Sequence, residues 1–358
     1  MFKEFKPVSK QEWLEKVTKD LKGKKSIDSF NWELDGMEFS PFYHADDING
    51  TDKACLIPTA KTKNSWEIGE RIIVSDYKDG NAQALAALQK GANALLFVLN
   101  ENPTFDELNI LLKDIQLEWI STNFNIGSAD LIDNFIKIIQ SKNQNPAEIN
   151  CSFPLNDASK LENYTNQLPK GTFLLVNVET LHCNVSTVSD AIKKGNERLE
   201  NINEAGYDIS KYHNQIQFSI SLNDNYFGSI ATIRALKLLW QNVLTAWNEN
   251  LIANSTIEVH LTTETQTKDE NYNKIKATTQ AMSAVIGGTD RLYIYPSDSL
   301  VNENGTSFSR RIGLNVHHLM EQESYLDRVI DPSAGSYFIE ELTNRIAEKA
   351  WKQFQNLT

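Results

Sequence analysis

The feature that most constrains this chain is a rhythm. From residue 71 onward, short apolar runs rich in β-branched residues recur: RIIVS (71–75), ALLFVL (94–99), LEWIS (117–121), EINCSF (148–153), FLLVNV (173–178), IQFSIS (216–221), IEVHLT (257–262) and LYIYPS (292–297). Helix-like segments lie between them, such as AQALAALQKGA (82–92), SADLIDNFIKIIQ (128–140), FGSIATIRALKLLWQNVLTAW (227–247) and NKIKATTQAMSAVIGG (273–288). Only the link after 153 is weak as a helix. Strands alternating with helices pair in parallel through right-handed crossovers. Eight strands in this order predict a closed (β/α)8 TIM-type barrel, with an open doubly wound sheet as the alternative. No GxGxxG or GxxxxGK[ST] follows any strand, which weakens the nucleotide-binding sheet and favours the barrel.

The first seventy residues have a different character. QEWLEKVTKDLKG (11–23) reads as an amphipathic helix with Trp13, Leu14, Val17 and Leu21 on one stripe and Gly23 as its stop. The irregular stretch SFNWELDGMEFSPFYHADD (29–47) carries Phe30, Trp32, Phe39, Phe42 and Tyr43, which must bury themselves against the chain's own body or against a partner. The predicted organisation is therefore an N-terminal arm (1–70) and a barrel with a C-terminal helix (71–358).

Charge and cysteine usage narrow the function. In 358 residues, 35 Lys+Arg stand against 47 Asp+Glu, a net charge of −12. So acidic a chain is a poor general binder of nucleic acid or of anionic membrane. Cys55, Cys151 and Cys183 are too few and too scattered for a disulfide framework or a thiolate metal site. His317-His318 are adjacent on a helix and cannot share a face, so no paired metal site is expected there. The N-terminus has no apolar leader core and no run approaches the ~18 residues of a membrane span. A reduced, cytoplasmic protein is expected.

The strands themselves carry an unusual pattern. In IQFSIS the apolar set Ile216, Phe218, Ile220 leaves Gln217, Ser219 and Ser221 on the other side. IEVHLT leaves Glu258, His260 and Thr262, and EINCSF leaves Glu148, Asn150 and Ser152. Because the helices must cover apolar side chains, the polar set is predicted to face the barrel interior. Most barrels fill that interior with Val, Ile and Leu. A polar interior implies either a ligand passage or a buried hydrogen-bond network.

The segment 309–351 resembles the end of the barrel domain of the methylmalonyl-CoA mutases. The family pattern there is Arg-Ile-x-x-Asn, a Glu pair, then Asp-Pro-x-x-Gly-Ser-Tyr-Tyr and Leu-Thr. Here Arg311, Ile312 and Asn315 stand in the run, and Gln322-Glu323 replaces the Glu pair. Asp331, Pro332, Gly335, Ser336, Tyr337 and Phe338 follow, then Leu342-Thr343. IATIRALKLLW (230–240) is similar to a family helix, with Arg234 and Trp240 in register, and TTQAMSAVIGGTDRL (278–292) to its Thr-x-x-Ala-x-x-Ala-x-x-Gly-Gly element. WLEKVTKDLKG and WELDGMEFSPFY resemble the family's N-terminal extension.

The departures are as informative. The Arg-x-Tyr-Ala-Gly-Phe stretch that holds the catalytic tyrosine of active subunits is missing. In place of His-x-Gln-Thr-Ser-Gly-Trp the chain reads HLTTETQTKDENYN (260–273), where His260 alone survives. The family's Tyr-His pair is replaced by Leu181-His182-Cys183-Asn184, with His182 or, in a gap-free placement, Asn184 at the histidine position. The cobalt-ligating Asp-x-His-x-x-Gly is absent, as expected either of a fragment cut after the barrel or of a short small-subunit lineage with no complete cobalamin domain. The resemblance therefore implies a small, non-catalytic β subunit of a methylmalonyl-CoA mutase, which interconverts methylmalonyl-CoA and succinyl-CoA. Adenosylcobalamin would be bound by the large α subunit, this chain's partner, which the aromatic-rich N-terminal arm (1–70) is expected to wrap, and no cofactor by this chain. His182 is the implied catalytic candidate, and Arg234 and His260 the implied substrate contacts. Two alternatives remain: a catalytic acyl-CoA mutase barrel needing a separate cobalamin domain, and a ligand-binding barrel without mutase chemistry. An open axial channel would favour the first alternative and a plugged one the subunit.

Overall fold

A computed structural model describes residues 6, 8–47, 57–155, 158–178 and 183–357. The early part of the arm forms helix α1 (Lys10–Leu21), closed at its start by a Ser9–Glu12 capping box, and a hairpin of β1 (Trp32–Leu34) and β2 (Met37–Phe39). The barrel then runs through β3 (Glu67–Ile73), β4 (Ala94–Val98), β5 (Ser121–Phe124), β6 (Asn150–Ser152), β7 (Gly171–Thr172), β8 (Leu174–Val178), β9 (Ile216–Ser221), β10 (Ile257–Leu261) and β11 (Arg291–Ile294). These nine pieces form one parallel sheet in the order β7-β6-β5-β4-β3-β11-β10-β9-β8.

The two ends of that order meet in sequence. β7 pairs with β6, and β8 pairs with β9, and only Phe173 separates them. β7 and β8 are one strand position bent at Phe173, handing over from one neighbour to the next. The ring therefore has eight strand positions, and the (β/α)8 barrel is the architecture observed.

The helices cover the outside because their apolar faces have nowhere else to go. α2 (Tyr77–Leu88), α3 (Phe105–Leu111), α4 (Ala129–Ser141), α5 (Leu161–Gln167), α6 (Asn184–Glu204), the single-turn α7 (Ile209–Tyr212), α8 (Tyr226–Trp247), α9 (Glu270–Gly287) and α10 (Ser307–His318) follow the strands. Several start at the side-chain caps that polar loops provide: Asp76, Thr104, Ser128, Asn225, Asp269 and Thr306 each accept from a first-turn N–H. The link after 153 does form a helix, the short α5.

The last helix, α11 (Tyr337–Leu357), lies across α6 and α8. The arm's hairpin packs on it: Trp32 and Tyr43 lie against Phe338, and Arg345 sits over the ring of Phe39, which is 1% exposed. The chain's own body thus takes up Trp32, Phe39 and Tyr43, whereas Phe30 stays 44% exposed. α1 buries no residue fully, though its Trp13 stacks on Phe42.

Three strand expectations shift: the first strand begins at Glu67, inside the segment assigned to the arm, and ends at Ile73. The third strand is Ser121–Phe124, and most of the apolar run before it, Leu117–Trp119, is a tight turn. The interior accepts polar side chains, so the polar STNF could be the strand and the apolar segment its entry. Glu148 likewise belongs to a turn, Pro146–Glu148, and pairs with Lys170 on the surface instead of facing inward.

Candidate functional site

The inward-facing residues build a polar core in layers. In the lowest layer, Ser121 on β5 donates to Glu67 on β3. Arg291 on β11 donates to Glu67 at 2.5 Å and to Glu258 on β10 at 3.1 Å. Gln217 on β9 donates to Glu258 at 2.8 Å and accepts from Thr172 on β7 at 3.0 Å. This chain of hydrogen bonds touches six of the eight strand positions. Each buried charge is met by an opposite charge, the condition under which ions survive in an interior.

The next layer closes the lumen. Tyr293 on β11 is fully buried, and its hydroxyl accepts from Asn123 on β5 at 3.2 Å, across the barrel. Asn123 in turn accepts from Ser152 at 2.8 Å. One face of the Tyr293 ring stacks on His260 with centroids 4.7 Å apart. His260 contacts Glu258 through Nε2 at 3.2 Å and the Tyr295 hydroxyl through Nδ1 at 3.3 Å. The Arg71 guanidinium covers the Tyr295 ring at 4.7 Å.

The electrostatics follow from this packing. Burial opposes ionisation of Glu258, but the His260 hydrogen bond and the His260 and Arg291 charges outweigh it and hold the carboxyl at about 2. Burial likewise works against the Arg291 cation, and Glu67 and Glu258 reverse the balance and raise its pKa. The Tyr293 phenol is pushed up, chiefly by burial, so it stays neutral and suited to its bond with the Asn123 amide.

The three residues singled out from the sequence fare differently. His260 is in the interior, as the strand alternation required, and both ring nitrogens are engaged. Arg234 on α8 is 0% exposed. It donates to Asp331 at 3.0 Å, to Glu340 at 2.9 Å and to Thr343 at 2.8 Å, tying α8 to α11 and its approach loop. That use of the guanidinium takes it away from any substrate phosphate. His182 lies outside the described residues. Asp331-Pro332 and Gly335 form a turn before the last helix, with positive φ at Asp331 (45°) and Gly335 (80°).

Sequence reasoning missed Glu67, Asn123, Arg291 and Tyr293. Alternation in LYIYPS held the available signal: setting Leu292 and Ile294 outward leaves Tyr293 and Tyr295 inward. His317 and His318 are structural. His317 Nδ1 accepts from Trp66 at 3.0 Å, and His318 Nε2 meets the Lys90 carbonyl at 2.8 Å. Among the described residues no group of three His, Cys, Asp or Glu could hold a metal ion.

Fold and interior together define a (β/α)8 barrel whose axial lumen is filled by a polar network. Comparison with known proteins then places it. Residues 183–358 match the family model described as methylmalonyl-CoA mutase. A methylmalonyl-CoA mutase small subunit from Porphyromonas gingivalis is 32% identical, over 99% of this chain and 63% of that protein. A methylmalonyl-CoA mutase from Cereibacter sphaeroides is 25% identical, over 95% of this chain and 57% of that one. A probable methylmalonyl-CoA mutase small subunit from Mycobacterium bovis is 35% identical over 44% of this chain and 26% of that protein. The chain belongs to the methylmalonyl-CoA mutase family. It spans 63% or less of the length of each of these relatives.

Proposed function

We propose that this chain is a non-catalytic barrel subunit of a cytoplasmic methylmalonyl-CoA mutase, and that its partner is a large subunit carrying the catalytic barrel. The complex would interconvert methylmalonyl-CoA and succinyl-CoA. The observation that carries this reading is the Tyr293 plug. A substrate threaded along the barrel axis would have to displace a fully buried ring held by stacking on His260 and by Asn123. Two further points support it. Arg234 and His260, the implied substrate contacts, are both committed to partners inside the fold.

The described histidines also lie outside the family's cobalt-ligating motif. Of the six histidines, the five described ones are each engaged within the chain: His44 with Asp46, His213 with the Ile209 and Ile252 carbonyls, and His260, His317 and His318 as above. None of these five stands in the family's Asp-x-His-x-x-Gly, which supports a cofactor held on the partner. Among the described residues no helix is long and apolar enough to cross a membrane.

The test is co-purification with the large mutase subunit of the same organism, followed by a methylmalonyl-CoA isomerisation assay with adenosylcobalamin on each chain alone and on both together. Co-elution, with turnover only where the large subunit is present, is the expected result. Failure to associate, or turnover by this chain with a supplied cobalamin domain, would overturn the proposal.

A further inference from the structure

Below the plug, at the N-terminal mouth of the barrel, lies a cavity of about 560 Å³. The lowest layer of the interior, with Glu67, Ser121, Gln217 and Arg291, is its floor. Tyr293 seals the axis above that floor, so a molecule entering here must leave by the same mouth. This is a pocket and not a passage.

The chemistry of its walls is specific in one respect: three of its four cations, Lys61, Lys170 and Arg291, are already matched. Lys61 spends its ammonium on Asp290 at 2.7 Å and on the carbonyls of Ser65 and Thr289 at 2.8 Å each. Arg291 lies between Glu67 and Glu258. Lys170 pairs with Glu148 at 2.7 Å. The other charged lining residues are Lys63 and Glu321, one of each sign. A phosphate entering this cavity would give up its hydration for the exposed Lys63 alone, whose charge Glu321 offsets on the same wall, an unfavourable exchange.

Neutral hydrogen-bonding groups make up much of the remaining wall. The amides of Asn93, Asn150 and Asn254 are exposed at the mouth, among the hydroxyls of Ser65 and Thr256. Trp66, 8% exposed, adds an aromatic edge to the lining and is held in place by the bond from its indole N–H to His317. Amides and hydroxyls that donate and accept, beside an aromatic edge, are what a ligand with many hydroxyl groups and an apolar ring face requires. We propose that the N-terminal mouth is a binding site for an uncharged, polyhydroxylated small molecule of the sugar or cyclitol class. The site rests on the geometry of the mouth alone and stands or falls separately from the mutase reading.

The experiment is ligand-observed saturation-transfer NMR on the full chain, with glucose, myo-inositol and trehalose as neutral probes and glucose 6-phosphate and coenzyme A as charged ones. At least one neutral probe is expected to receive saturation and to bind more tightly than either charged probe. Asn150→Leu and Asn254→Leu, both at exposed positions, should each weaken that binding tenfold or more while leaving the unfolding transition in place. The proposal is overturned if none of the three neutral probes binds, if glucose 6-phosphate or coenzyme A binds more tightly than they do, or if both folded variants bind as the parent does.

Discussion

Tyr293 lies against Gly69 with no space left for a Cβ: a methyl group built on Gly69 would stand 2.5 Å from the ring Cδ1 and 2.6 Å from the Leu292 carbonyl oxygen. The two residues are register partners on β11 and β3. A glycine in a strand interior forfeits packing and costs backbone entropy, and close approach of another group is a standard reason for it. Here the approaching group is the side chain that closes the lumen. Gly69 and Tyr293 therefore form one structural device, and a substitution at either is felt by the other.

That coupling is measurable. Gly69→Ala alone should cost about 1–3 kcal/mol through overpacking. Tyr293→Ala alone should cost about 3–5 kcal/mol, the usual range for emptying a buried aromatic site. In the double variant most of the ring clash is gone and only the Leu292 carbonyl still crowds the new methyl. The two costs should then fall short of additivity by at least about 1 kcal/mol in urea unfolding, as contacting residues do. Strict additivity would mean that the ring does not rest on Gly69.

Arg234 offers a second test, because a buried cation is costly once it loses a partner. Its guanidinium has Asp331 and Glu340 within hydrogen-bond distance and is itself wholly buried. Asp331→Ala or Glu340→Ala should destabilise the fold by about 3–5 kcal/mol, the range for breaking one side of a buried ion pair. A thermal or urea melt decides the matter. A surface-like cost below about 1 kcal/mol for both variants would show that the cluster is open to water.

The barrel was legible because alternation with period two and turn signals repeat through the chain, and period alone put Gln217, Glu258 and His260 inside. What escaped was partnership across distance. Arg291 finds Glu67 from 224 residues away, and no local pattern marks such a pair. Ser121 and Asn123 were missed for the opposite reason: the neighbouring apolar Leu117–Trp119 looked more like a strand than the polar segment that forms one. Arg234 was read from a family motif as an implied substrate contact, but its acidic partners lie on the loop before α11 and on α11 itself, 97 and 106 residues downstream.

The arm's hairpin should prove part of the fold. Phe39 is stacked on Trp32 with centroids 5.1 Å apart and capped by Arg345 at 4.3 Å. The Lys349 ammonium reaches the Asp35 carbonyl, and the Val185 N–H donates to the Asp35 carboxylate at 3.1 Å. Phe39→Ala should cost about 3–5 kcal/mol, read by urea denaturation of the full chain. A variant as stable as the parent would mean that the hairpin detaches from α11 at little cost.

The last prediction concerns acid. His317 is buried beside Trp66, and burial, with a smaller contribution from His318, lowers its pKa to about 3 from the ordinary 6.5. The unfolded chain therefore takes up a proton near pH 6.5 that the folded chain refuses until near pH 3. Between those limits stability falls as pH falls, at about 1.4 kcal/mol per pH unit for this one group. Glu258 adds to the loss at lower pH. Its folded value of about 2 lies below the ordinary 4.5, so its contribution is intact above pH 4.5 and drains away between 4.5 and 2. Urea unfolding at pH 7.5, 6.0 and 5.0 isolates the histidine, because Glu258 contributes little change in that span. His317→Gln, which keeps an acceptor for the Trp66 indole, should show a shallower fall than the parent by up to about 1.4 kcal/mol per unit. Parallel slopes for parent and variant would mean that His317 protonates in the folded chain as readily as in the unfolded one, and the buried Trp66–His317 contact would have to be given up.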